Sequence, residues 1–331
     1  MRITSEEVAR LAHVSRSTVS RVINNYPNVP EETRLKVMAV IEKYGYHPNS
    51  SARVLAGKSN QTIALFIADN EKGEKRWRGM ESPYFVRLIA ELVSQGRMNG
   101  YILSVSIISN SLDYLKIEDM YLNREISGGI FIGFEFEMDC VNRLIEKGFN
   151  MAVIDPGDGI SEGKNVKVIY TENVKAGYIA TSYLLKKGHH SILHIAGDDR
   201  KSSQDRILGY RMAMEEAGEE IWVREGAYDA GRAYEIARGF LNQSITAIFA
   251  ASDTMAVGAI RAVRDAGKSV PEDVAVIGCD YNEVFRDAGY ELTTVELSVR
   301  GIAAASVKAV LGKEKRSIIY CRAVFRQGTT G

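Results

Sequence analysis

Along the first fifty residues, apolar positions recur at intervals of three and four with polar residues between them. That is the spacing of short helices buried on one face. Thr4-Ser5-Glu6-Glu7 opens the first as a capping box, the Thr4 hydroxyl accepting from the Glu7 amide while Glu7 reaches back. Val8, Leu11 and Ala12 share one side of this helix, which stops near His13. Ser15 suits the N-cap of a second helix over 16–24, with Val19, Val22 and Ile23 inward. Asn24-Asn25-Tyr26-Pro27-Asn28 is a loop by composition. A third helix is expected over 31–44, burying Val37, Met38, Ile41 and Tyr44 and stopped by a left-handed Gly45.

Beyond residue 61 the pattern changes to short apolar runs separated by longer helical stretches. Strands are expected over 62–68, 101–108, 129–132, 151–154, 192–196, 247–250 and 274–278. Helices fit over 85–95, 139–147, 173–186, 203–217, 232–241 and 254–266. This alternation predicts an α/β protein of doubly wound parallel sheets covered by helices on both faces. The organisation read from it is a helical headpiece over 1–48, a short linker over 49–60 and a core over 61–331 built from two interleaved lobes. The linker opens with Asn49 as a cap and closes at Gly57, and about six helical residues cannot hold a helix alone in water.

Composition adds limits. The 331 residues are 45% hydrophobic and 25% charged, the balance of a soluble globular protein. No apolar run approaches the roughly 20 residues that span a bilayer. Glu6, Glu7 and Arg10 stand where a secretion signal needs apolar residues, so a cytoplasmic location is expected, with no membrane partner. Cys140, Cys279 and Cys321 lack metal-ligand spacing and read as buried thiols of a reducing compartment. Net charge is zero, yet residues 1–60 hold nine Lys and Arg against five Glu, a basic head on an acidic remainder.

The second helix presents Arg16, Ser17, Ser20 and Arg21 outward, as a recognition helix in a major groove does, although a solvated hairpin shares that pattern. The run from Val8 through Ser15-Arg16-Ser17-Thr18-Val19-Ser20-Arg21-Val22-Ile23-Asn24 carries more information. With Glu31-Glu32-Thr33-Arg34 and Tyr44-Gly45-Tyr46-His47-Pro48-Asn49, it closely resembles the headpiece of the lactose-repressor (LacI/GalR) family. The resemblance covers essentially the whole chain. It implies a sequence-specific transcription regulator, a repressor of a carbohydrate-utilisation operon, with a two-lobed core like the periplasmic sugar-binding proteins. It implies that Arg16, Ser17 and Arg21 read bases and that Thr4, Ser15, Thr18, Ser20, Asn24, Asn28 and Tyr46 touch the DNA backbone. It also implies that the segment from Asn49 forms a hinge whose Leu55 wedges into the minor groove beside Ala52. Pro30 departs from the serine usual there, so one phosphate contact is lost, although proline still suits a helix start.

Ligands of open parallel sheets sit beyond the carboxyl ends of the strands, where Asp155, Ser252, Asp253 and Asp280 fall, with Arg206 near a helix start. Family correspondence assigns these residues to an effector site, with Tyr84, Phe85 and Tyr228 as ring platforms for a sugar. Asp253 is open to a second reading as a helix cap, and Arg206 with Asp280 to one as an interlobe ion pair. The stretch 69–82 is longer and more basic than usual, either a solvated insertion or a greeting for an acidic partner. Leu297 replaces a polar residue common after Leu292-Thr293-Thr294-Val295. The ending Phe325-Arg326-Gln327-Gly328-Thr329-Thr330 leans toward regulators of galactoside operons. Asp155 and Asp280 could form a glycosidase pair. No nucleophile motif, phosphate loop or metal spacing accompanies them, so no enzyme and no cofactor is expected. The chain stops soon after its last expected strand, leaving no space for a terminal coiled coil. By family analogy it is therefore a homodimer on a roughly palindromic operator.

Overall fold

Alternate residues of one strand face opposite ways, and that rule organises the larger part of this chain. In the computed structural model, residues 3–23, 26–46, 60–68, 82–134, 138–243 and 245–331 are described, with only the backbone at 111. The chain divides into two units, Met1–Asn60 and Gln61–Gly331.

The second unit holds two six-stranded sheets. The first combines β1 (Thr62–Ala68), β2 (Ile102–Ile108), β3 (Gly128–Ile132), β4 (Met151–Ile154), β5 (Val166–Thr171) and β11 (Ile318–Cys321), in the order β11-β5-β4-β3-β1-β2. Every pair in it is parallel. Ile63, Leu65 and Ile67 of β1 pack on α4 (Pro83–Met98) and α12 (Val299–Val310). Ala64 and Phe66 face α5 (Ser111–Leu122) and α6 (Met138–Glu146) on the other side.

The second lobe repeats the plan with β6 (Ile192–Ala196), β7 (Trp222–Glu225), β8 (Ala247–Ala250), β9 (Ala275–Cys279), β10 (Thr293–Leu297) and β12 (Ala323–Arg326). Their order is β12-β10-β9-β8-β6-β7, and β12 alone runs antiparallel to its neighbour. Helices α7 (Asn173–Lys186) and α8 (Lys201–Ala217) cover one face, α9 (Ala230–Phe240) and α10 (Asp253–Asp265) cover the other, and the short α11 (Glu283–Asp287) follows β9. The chain passes between lobes after β5, after β10 and between β11 and β12. Two of these passages are tied together where the Ala323 amide donates to Glu172 Oε2 at 3.1 Å.

Among the described residues of the first unit are three helices, α1 (Ser5–Leu11), α2 (Arg16–Ile23) and α3 (Glu31–Tyr44). The expected capping box is present, with the Glu7 amide donating to Thr4 Oγ1 at 3.2 Å and the Thr4 amide to Glu7 Oε2 at 2.7 Å. Gly45 ends α3 at φ 59°, a left-handed stop that an L side chain would resist. Pro30 stands before α3 without a side-chain cap bond. Val8, Ala12, Val19, Val22 and Val37 form the small core.

Two expectations for α3 are corrected: Met38 and Tyr44 are 48% and 47% exposed, and Val40 packs with Val37 and Ile41 instead. Met38 lies about 100° around the helix from Val37. Tyr44 is on the right stripe but in the last turn, beyond the reach of so small a core. Helices α5, α11 and α12 and strands β5, β7, β10, β11 and β12 were not anticipated. Val299–Val310 is apolar on most sides because it is buried between elements, and a strand like β7, half-exposed at an edge, shows no clean alternation.

Candidate nucleic-acid surface and effector cleft

On the headpiece, α2 buries Val19 and Val22 and turns Arg16, Ser17, Ser20 and Arg21 to solvent on its other sides. Its start is organised by Ser15, whose Oγ accepts from the Thr18 amide at 3.1 Å. That oxygen also lies 2.7 Å from Ser17 Oγ and 2.8 Å from Thr18 Oγ1. Arg16 Nη1 reaches back to Glu6 Oε1 of α1 at 3.4 Å. Asn28 is exposed in the turn before α3, and Thr4 is exposed while engaged in its cap. Tyr46, expected to touch DNA backbone, is 9% exposed and packs its ring in the headpiece core. Asn24, Asn49, Ala52, Leu55 and the basic stretch up to 81 lie outside the described residues.

In the core, the strand ends carry Asp155, Ser252, Asp253 and Asp280 toward Arg206. Arg206 of α8 is the centre. Its approach depends on two glycines where α7 and α8 cross. A Cβ on Gly209 would stand 1.9 Å from Val174 O, and one on Gly177 would stand 2.1 Å from Arg206 O. Close crossing lets Arg206 Nε donate to Asn173 Oδ1 at 3.0 Å while Nη1 donates to the Ala251 carbonyl. Nη2 stands 3.9 Å from Asp280 Oδ1, so the interlobe ion-pair reading is corrected: both residues belong to the second lobe. Asp280 follows β9 with φ 118° and Tyr281 follows with φ 56°, two successive residues in a region that disfavours side chains.

Asp253 holds that turn. Its Oδ2 accepts from the Asn282 amide at 2.8 Å and its Oδ1 from Thr294 Oγ1 at 2.6 Å, so neither oxygen is idle. Ser252 is the N-cap of α10, accepting from the Met255 amide at 3.2 Å. Asp155, at φ 44°, faces from the first lobe and accepts from the Thr171 amide at 2.7 Å. Tyr84 packs against the cores of both lobes. Phe85 is corrected from a ring platform to a core residue of the first lobe, 7% exposed, because the opposite side of α4's first turn faces the sheet. Tyr228 lies so near Gly197 that a Cβ there would meet its ring at 2.3 Å, and the Arg200 guanidinium covers the ring at 4.9 Å.

Burial dominates the electrostatics. It lifts Asp155 to about 6 against the hydrogen bonds from Thr171, and Asp280 to about 7 against the pull of Arg206. Asp253 rises to about 8, through burial first and the neighbouring Asp280 charge second. Burial, with Asp155 and Asp280, likewise raises the Tyr84 hydroxyl. Three carboxylates thus converge near one buried guanidinium, which favours a partner that donates hydrogen bonds without bringing negative charge. Asn173, Thr171 and the Ala251 carbonyl escaped sequence reasoning, since a residue that positions another carries no motif of its own.

A three-helix head with an outward second helix, on one chain with two parallel-sheet lobes that bury a polar cluster at their junction, has the form of a DNA-binding regulator. Comparison agrees. The family described as bacterial regulatory proteins, lacI family, matches residues 4–49, and a periplasmic binding protein-like domain matches residues 181–317. The transcriptional repressor PurR of Pasteurella multocida (strain Pm70) is 30% identical over 96% of this chain and 95% of its own length. The PurR repressor of Histophilus somni (strain 129Pt) is 30% identical over 98% of each. The lac repressor dimer bound to operator and the anti-inducer ONPF superposes with a TM-score of 0.82 at 24% identity. That match covers 100% of this chain and 99% of the other. The CelR–cellobiose complex gives 0.69 at 26% identity over all of both chains. The chain belongs to the LacI family of bacterial regulatory proteins, which are DNA-binding transcription regulators and not enzymes. None of the PurR relatives supports the galactoside lean drawn from the chain's ending. No helix among the described residues is long and apolar enough to cross a membrane.

Proposed function

We propose that the protein is a cytoplasmic transcription repressor that reads a roughly palindromic operator as a homodimer and changes its grip when a small, uncharged, donor-rich effector enters the cleft. The observation that carries the DNA reading is the α2 surface, where Arg16, Ser17, Ser20 and Arg21 are exposed over a buried Val19 and Val22. Arg16, Ser17 and Arg21 read base edges. Thr4, Ser15, Thr18, Ser20, Asn24 and Asn28 hold the backbone, and Leu55 wedges the minor groove beside Ala52. Arg16→Ala relaxes sequence preference, costing about 1–3 kcal/mol at one base pair. Equal loss on specific and random duplexes, measured by fluorescence anisotropy, refutes that role.

The effector reading rests on Asp155 and Asp280, two buried carboxyls that share the one guanidinium of Arg206. Sugar hydroxyls satisfy them, with Tyr84 alongside. The ring of Tyr228 also suits a flat heterocycle with N–H donors, provided Arg200 swings away. A thermal-shift panel of sugars and nucleobases separates the two, since a true ligand raises stability by mass action. No shift with either class rejects the cleft as a sensor. For the dimer, the supporting feature is the edge strand β2, whose Val105 and Ile107 are exposed on the face that α4 covers, where Val86 and Val93 of that helix are exposed too.

A further inference from the structure

One charge on the headpiece surface runs against its proposed use. Glu6 projects from α1 with its side chain 76% exposed, beside Arg16 at 64%. A carboxylate near a phosphate-facing surface weakens DNA binding unless it acts through a cation. Glu6 has no part in the cap of its own helix, because the adjacent Glu7 makes both capping-box bonds. The pair is ten residues apart in sequence, brought together by the turn at His13 with φ 54°. In water an exposed pair of this kind contributes little to folding. Its geometry has a different consequence. Glu6 Oε1 meets Nη1 of Arg16 at 3.4 Å, at one corner of the guanidinium.

We propose that Glu6 is a specificity-determining positioning residue, one that holds the Arg16 fork for a purine with paired acceptors and discourages Arg16 from settling on a phosphate. This rests on α2 being the recognition helix. A planar fork already held at one corner loses less freedom when it pairs bidentately with guanine. The same carboxylate repels phosphates on any sequence, so it lowers non-specific affinity and widens the gap between right and wrong sites.

The test uses the full-length protein and a randomised duplex library, followed by anisotropy on the recovered duplex and on a scrambled one. Arg16→Ala identifies the base pair that depends on this arginine. Glu6→Gln is expected to lower preference at that same base pair by about three- to tenfold. It also tightens scrambled-duplex binding and steepens the slope of log K against log salt by about 0.9, one more phosphate engaged. Glu6→Asp keeps the charge but shortens the reach, so scrambled binding stays weak while base preference falls. Glu6→Gln with unchanged preference, alongside an Arg16→Ala that loses it, overturns this proposal alone. So does a lowered melting temperature with unchanged preference, which marks a merely structural pair. Arg16→Ala with full preference overturns the recognition-helix reading beneath it.

Discussion

Asp280→Asn should make the protein more stable at pH 8 while abolishing its response to effector. Burial lifts the Asp280 carboxyl from 3.8 to about 7, although Arg206 pulls the other way from 3.9 Å. The folded state therefore keeps a proton that the unfolded chain releases near pH 4. Stability falls as pH rises from about 4 to about 7 and stays low above that window. Each tenfold change in proton affinity is about 1.4 kcal/mol, so ionising Asp280 costs the folded state about 4 kcal/mol at pH 8. An amide of the same shape carries no such cost, and it also lowers the charge that Asp253 faces at the same turn. Urea unfolding at pH 5 and pH 8 provides the assay. The variant should lead by about 1.5–2 kcal/mol at pH 5 and by about 4 kcal/mol at pH 8, so the gap widens as pH rises. A variant less stable at both pH values would mean that Arg206 requires an ionised Asp280, and the reasoning would be wrong. The gain illustrates a general exchange, in which a site built to bind holds charge that the fold alone would discard.

Other outcomes follow from single features. His194 is buried between Tyr210 and Phe249, its Nδ1 2.9 Å from Phe249 O, and burial lowers it from 6.5 to about 4. The unfolded chain protonates first, so up to about 3 kcal/mol of stability is lost between pH 6.5 and pH 4, and His194→Gln should flatten that part of the profile. Gly209→Ala sets a methyl against Val174 O and forces α7 and α8 apart. Unfolding should show about 1–3 kcal/mol of destabilisation, and the thermal shift with effector should vanish because Arg206 leaves Asn173. A normal ligand shift in that variant would refute the link. Val93→Glu on the exposed face of α4 should turn a dimer into a monomer in sedimentation, and an unchanged sedimentation coefficient would send the interface elsewhere.

Much of the molecule is written locally. Thr4 and Glu7 announce the start of α1, Gly45 announces the end of α3, and the alternating apolar runs announce parallel sheets, because caps, left-handed stops and periodicity depend on neighbours within a few residues. The exposed positions of α2 were legible for the same reason, since a helix of known phase assigns its own outer face. The tertiary structure alone decided which like-looking residues do different work. Tyr46 and Phe85 went into cores while Tyr84 stayed at the lobe junction. Asp253 was consumed in holding a strained turn, and Asp280 and Asp155 were left facing one guanidinium. The ties of Arg206 to Asn173 and Ala251 cross 33 and 45 residues of chain, and the first needs the close approach of α7 and α8 that two glycines permit. Burial and long-range proximity set those roles, and neither is a property of any short stretch of sequence.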